Sequence, residues 1–148
     1  MKRFGSIFPF LEFGSQTRHI GRLVANHDFV KALLKYSTFD EFVFSNSSAS
    51  NLKMFAQTVS TWGLPSERLA SIRYLEYLDL PAYVHTHPFH VFHLGGWGRL
   101  MAGLHYVRAK YASNPWPITA VTHSLNGRAV VEYAVRVASA RMAPYDAI

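Results

Sequence analysis

The chain has 148 residues, 49% hydrophobic and 16% charged, with 9 Gly and 7 Pro, which excludes the disordered and fibrous classes and suits one domain with a real core. It has no cysteine, so a disulfide framework, a thiolate metal site and a cysteine nucleophile are excluded. Fifteen Lys plus Arg against nine Asp plus Glu give +6, a surplus that favours phosphates or an acidic membrane surface, while the scattered basic residues lack the run expected of a nucleic-acid tail.

The N-terminus, MKRFGSIFPFLEFG, places apolar residues after two basic ones, as a signal peptide does. Ser6, Pro9 and Glu12 interrupt it and no small-residue cleavage pattern follows, so residues 4–10 read as a first strand. No run approaches the ~18–20 uninterrupted apolar residues of a membrane span. A cytoplasmic location fits these features. The loop over 11–17 holds Phe13, Gly14 and Ser15. Gly14 admits backbone conformations closed to other residues and would let a ligand approach the main chain; a plain turn glycine is the alternative. From Arg18, the spacing of Ile20, Leu23, Val24, His27, Val30 and Leu34 predicts a helix, with Arg22, Asn26 and Lys31 off its apolar face.

Residues 39–44 (FDEFVF) read as a second strand. The small polar residues 45–51 supply a turn and an N-cap for a helix with Leu52, Phe55, Ala56 and Val59 on one side, ended by Trp62, Gly63 and Pro65. Residues 68–75 read as a third strand, with a helix as the alternative. Residues 83–98, YVHTHPFHVFHLGGWG, carry four of the eight histidines. Within them, 91–94 is a compact strand, followed by a turn at Gly95, Gly96 and Gly98 and a helix starting near Trp97 that stops before Asn114 and Pro115.

Residues 118–122, an apolar β-branched run without alternation, predict a central parallel strand buried on both faces. His123, Ser124, Asn126 and Gly127 follow, and from Ala129 the spacing becomes helical. The last residues, Asp146, Ala147 and Ile148, look like the start of another strand. Strands alternating with helices predict a three-layer Rossmann-like α/β domain with a mostly parallel sheet and right-handed crossovers. In such sheets ligands bind at the carboxyl ends of the strands, which makes His123 the leading site residue.

Three chemistries fit less well. His85, His87, His90 and His93 contain a His-x-His pair of the kind that opens metal sites, but Pro88 breaks the strand and Asp79 is the only carboxylate near; no metal is expected. Gly96, Gly98 and Met101 match two of the three glycines of the dinucleotide fingerprint, and the next strand ends in Thr122 and His123 where an acidic residue should bind a ribose. The Gly95 and Gly96 turn can still offer backbone N–H groups to an anion. Ser124 sits where a nucleophile elbow would, but Thr122 and Asn126 replace its glycines.

The order of a Phe13 and Gly14 loop, an amphipathic helix, VFHLGGWG, a helix, PITAVTHSLNG and a helix before PYDAI resembles the N-terminal domain of group 1 retaining glycosyltransferases, which have the GT-B fold. The resemblance implies transfer of a sugar from a nucleotide-sugar donor to an acceptor hydroxyl, without a bound metal or a further cofactor. It implies that His123 acts at the transferred sugar and that Phe13, Gly14, Ser15, His93, Gly95, Gly96, Thr122 and Ser124 contact substrate. The donor-binding second domain of that family has no counterpart here, so the expectation is a half that works with a missing domain or a complementary polypeptide. A carbohydrate or lipid-linked acceptor, peripheral membrane contact and no nucleic acid complete the expected partners. The alternative is a non-catalytic α/β module that binds a phosphorylated ligand or a protein partner.

Overall fold

The computed structural model describes residues 1–7, 21–96, 100–122, 129–140 and 142–148. Five strands, β1 (Arg3–Ile7), β2 (Glu41–Asn46), β3 (Ile72–Glu76), β4 (Val91–Leu94) and β5 (Ile118–Ala120), form one sheet in the order β3-β2-β1-β4-β5. Every neighbouring pair is parallel. The helices are α1 (Gly21–Tyr36), α2 (Ala49–Ser60), α3 (Ser66–Ala70), α4 (Leu80–Thr86), α5 (Leu100–Tyr111) and α6 (Ala129–Ser139). This is the expected Rossmann-like arrangement, a parallel sheet flanked by helices.

Alternation along each strand divides the core between the two faces. Phe4, Phe42 and Phe44 pack with Val30 and Leu34 of α1 and with Phe55 and Val59 of α2. On the other face Val43, Ile7, Phe92 and Leu94 meet Leu80 and Val84 of α4, Met101 and Leu104 of α5, and Trp116. All five residues of β1 are buried, with strands hydrogen-bonded on both sides. Gly5 makes this possible, because a Cβ there would lie 2.3 Å from Cδ2 of Phe92 and 2.8 Å from Cε1 of Phe89.

Several expectations are corrected. The central strand is β1, between β2 and β4, whereas β5 stands last in the ladder with three residues and, beyond it, a single parallel bridge between Thr119 and Ala147. Of that run only Ile118 and Ala120 are buried, against the α5 side of the sheet, while Thr119 is half-buried and Val121 and Thr122 are exposed, so the β-branched run did not require a central strand. Residues 66–70 form α3, so β3 begins only at Ile72. Pro65 precedes this short helix, and Pro is favoured at a helix start. His85 lies in α4 and His87 caps its end, so the His-x-His pair is not on a strand. Asn26, expected off the apolar face, is buried.

Two buried ion networks hold the amino ends of the strands. At β1 and β2, the Glu41 carboxylate takes the Arg3 guanidinium, and Nε of Arg73 at 3.0 Å. At β5, Arg108 of α5 makes a bidentate pair with Asp146, at 2.6 Å from Nη1 to Oδ1 and 2.8 Å from Nη2 to Oδ2. The backbone N–H groups of Ile118 and Ala143 donate to the same carboxylate at 2.8 and 2.7 Å, and Arg108 also donates to the Trp116 carbonyl. Ala147 then exchanges backbone bonds with Ile118 and Ala120, so Asp146 fastens the last described segment beside β5.

Burial pushes the Asp146 carboxyl up, but the hydrogen bonds from Arg108, Ile118 and Ala143 outweigh it and hold its pKa below the ordinary 3.8. Glu41 is likewise raised by burial and, more strongly, lowered by Arg3 and Arg73, to below its ordinary 4.5. A carboxylate with a lowered folded pKa stabilises the fold above its unfolded value and loses that contribution as pH falls through the folded one. Stability should therefore decline as pH drops below these ordinary values. Asp146→Asn strands a buried cation and should cost about 3–5 kcal/mol at neutral pH. Urea unfolding midpoints measured from about pH 3 to pH 7 check both, and the variant's profile should be flatter on the acid side.

Candidate functional site

Parallel strands point all their carboxyl ends the same way, and ligands collect where the chain leaves two neighbouring strands in opposite directions. That point is fixed here by the strand order. From β1 the chain moves through α1 to β2 on one side; from β4 it moves through α5 to β5 on the other. The crevice between the carboxyl ends of β1 and β4 is the candidate site.

Its rim can be followed strand by strand. Beyond β4 come Gly95 and Gly96, ahead of α5. Asn26 of α1 donates through Nδ2 to the Gly95 carbonyl at 2.9 Å, tying the helix that follows β1 to the turn that follows β4. Only glycine fits, since a Cβ at residue 95 would lie 2.4 Å from that amide nitrogen. At the end of β2, Oδ1 of Asn46 accepts the Ser48 N–H at 3.0 Å, and Oγ of Ser48 caps α2 by accepting the Asn51 N–H. Ser45, 2% exposed, has a hydroxyl with no hydrogen-bonding partner among the described residues. Beyond β5, Thr122 is exposed.

His93 lies within β4, one residue before its end. Its Nδ1 is 2.9 Å from Oγ1 of Thr119, its carbonyl accepts from Oγ of Ser6, and its ring packs at 4.8 Å from that of Phe29 in α1. The imidazole is thus engaged with the packing of α1 on the sheet. Gly95 and Gly96 border the crevice directly, and Thr122 follows the neighbouring strand. Phe13, Gly14, Ser15, His123 and Ser124 lie outside the described residues. Among the described residues no group of His, Asp and Glu is arranged to hold a metal ion.

Asn46, Ser48 and Asn26 are the rim groups that sequence reasoning passed over. The signal for the first two was present in the polar run SNSS directly after the apolar FVF, which was assigned to turn and cap alone. The strand order also moves the position expected to carry a ribose-binding acid. Counted from β1, it falls at the end of β2, where Asn46 stands.

No family model matches the chain, and no curated protein matches it. Among solved structures, it is similar to the 3-hydroxyacyl-CoA dehydrogenase from Archaeoglobus fulgidus, with a TM-score of 0.50 and 16% identity, over 92% of this chain and 38% of that one. At that identity the likeness is one of fold. These findings correct the glycosyltransferase resemblance: the similar solved structure is a dehydrogenase of Rossmann type, and nothing found links the chain to sugar transfer. The short strand-end pattern VFHLGG reflects how a parallel strand meets a turn, a requirement common to many α/β proteins.

Gly95→Ala should force the Asn26 amide out of its place. The expected cost is about 1–3 kcal/mol from overpacking, read as a lowered urea midpoint. Asn26→Ala removes a buried donor at the same joint and should cost about 1–3 kcal/mol. The two substitutions disrupt one interaction, so the double variant should fall short of their sum.

Proposed function

We propose that this chain is a ligand-binding α/β module that takes a phosphorylated small molecule in the crevice between β1 and β4. The observation that carries this reading is the character of the rim. Asn46, Ser48, Gly95, Gly96 and Thr122 stand at the carboxyl ends of β2, β4 and β5, and among the described residues no carboxylate joins them. Glu76 and Asp79 belong to the end of the outermost strand, β3. Uncharged donors and acceptors bind hydroxyl and phosphate oxygens without repelling them, whereas a carboxylate at the same place would oppose a phosphate. The net charge of +6 draws anions towards the molecule as a whole.

Ser45 adds to this support, since a buried hydroxyl without a partner one residue inside the rim is a hydrogen-bonding group that a ligand or a water can satisfy. The reading requires binding only. It assigns no base, nucleophile or cofactor.

The test is isothermal titration with a panel of nucleoside monophosphates and sugar phosphates beside their dephosphorylated counterparts. At least one phosphorylated member should bind, and more tightly than its dephosphorylated form. Asn46→Asp places a carboxylate on the rim and should weaken that binding about tenfold, with unfolding unchanged. If no phosphorylated member binds, or if phosphate makes no difference, the reading fails.

A further inference from the structure

Outside the crevice, the groove between α5 and α6 contains a cavity of about 520 Å3, within the roughly 300–1,000 Å3 span of small-molecule sites. Its walls are largely Ala102, Ala109 and Ala140, which end at Cβ and leave an apolar space. Ala102 and Ala109 share one face of α5, seven residues apart, while Met101 and Leu104 face the core. His105 contributes to the lining and is anchored from beneath, its Nδ1 2.9 Å from Nη2 of Arg108 in the network around Asp146. That anchoring makes the floor a rigid one.

Besides His105 and Ser139, the lining carries Lys110 and Tyr106, and Lys110 is its one permanently charged group. Nζ of Lys110 donates to the Tyr106 hydroxyl at 2.9 Å and lies 5.3 Å from the ring centroids of both Tyr106 and Tyr111. Both partners are neutral. None of the ion pairs among the described residues includes Lys110, so its charge is left without a carboxylate. Because the tyrosine oxygen accepts from Lys110, its own O–H remains available to donate. A cation and an adjoining hydroxyl donor at the mouth of an alanine-lined slot form a receptor for one negative charge on an apolar body.

We propose that this cavity binds an alkyl carboxylate, its carboxylate against Lys110 and the Tyr106 hydroxyl and its chain over Ala102, Ala109 and Ala140. The groove takes a single free amphiphile, because its apolar lining extends only over Ala102, Ala109 and Ala140, along one face of α5 and the end of α6. The proposal is independent of the crevice and of what the crevice binds.

Isothermal titration with octanoate, beside 1-octanol as the uncharged analogue, tests it on the full chain. Octanoate should bind at one site. Ala109→Leu, at an exposed helical position that accepts leucine, should fill the slot and weaken octanoate about tenfold. Lys110→Gln should weaken octanoate about fivefold and leave octanol unchanged. Asn46→Asp should change neither, and both cavity variants should retain the wild-type melting temperature and any phosphorylated-ligand binding, so the two sites succeed or fail separately. Absence of octanoate binding overturns the proposal, as does binding indifferent to Ala109→Leu, or equal loss of octanol in Lys110→Gln. Ala109→Leu-sensitive sedimentation with phosphatidylglycerol vesicles, without binding of monomeric octanoate, would assign the groove to a lipid surface and overturn it too.

Discussion

Parallel strands cannot be joined by tight hairpins, so each connection in a β3-β2-β1-β4-β5 sheet crosses a face, and the crossing helices are what bury the sheet on both sides. This constraint governs the rest of the molecule. It requires a strand that can be covered above, below and on both edges, and β1 meets that demand because Gly5 leaves room for the rings of Phe92 and Phe89. It also makes the crossovers from β1 and from β4 diverge. The crevice is therefore a product of topology before any side chain is considered, and the Asn26 bond to Gly95 joins its two banks.

Much of the positive charge in the composition turns out to be structural. Arg3 and Arg108 are buried against Glu41 and Asp146, and the guanidinium of Arg68 donates to the carbonyls of Phe39 and Ser37 and lies over the Phe42 ring. Arg73 shares Glu41, and Arg136 pairs with Glu132. These guanidinium groups are used for their fork of donors, which binds carboxylates and carbonyls at fixed angles. Lys110 differs from them in facing only phenol groups. A charge total does not separate the two uses. Placement does, and it removes several arginines from the count of groups free to meet an anion.

The two candidate binding regions differ in the physics that shapes them. The crevice is lined by backbone and short polar side chains, suited to hydrogen bonds with an oxygen-rich ligand. The groove between α5 and α6 is lined by alanines, with its charge confined to one end. Both depend on α5, whose core face is fixed by Met101 and Leu104 and whose last turn is held by Arg108. The Asp146 network thus supports the outer groove and the sheet edge at once. Among the described residues, no helix is long and apolar enough to cross a membrane.

The alternation of apolar strands with amphipathic helices made the α/β class legible in the sequence, and the three-and-four spacing located α1, α2, α5 and α6 to within a few residues. Local periodicity carries that information because a helix or strand must turn its apolar side chains to one core. Periodicity is silent about which strands are neighbours, and residues 118–120 looked central when they are last in the ladder. The same limit hid the site. Gly95 and Gly96 were recognisable as a turn after a strand, but Asn46 became a rim residue only when β2 was seen beside β1, and Asn26 only when α1 was seen to reach Gly95. The sequence by itself determined the class, the longer helices and the polar turns that end the strands. Strand order, the crevice and the buried partners of Arg108 were decided by tertiary structure, because each depends on residues far apart in the chain meeting in one low-dielectric place.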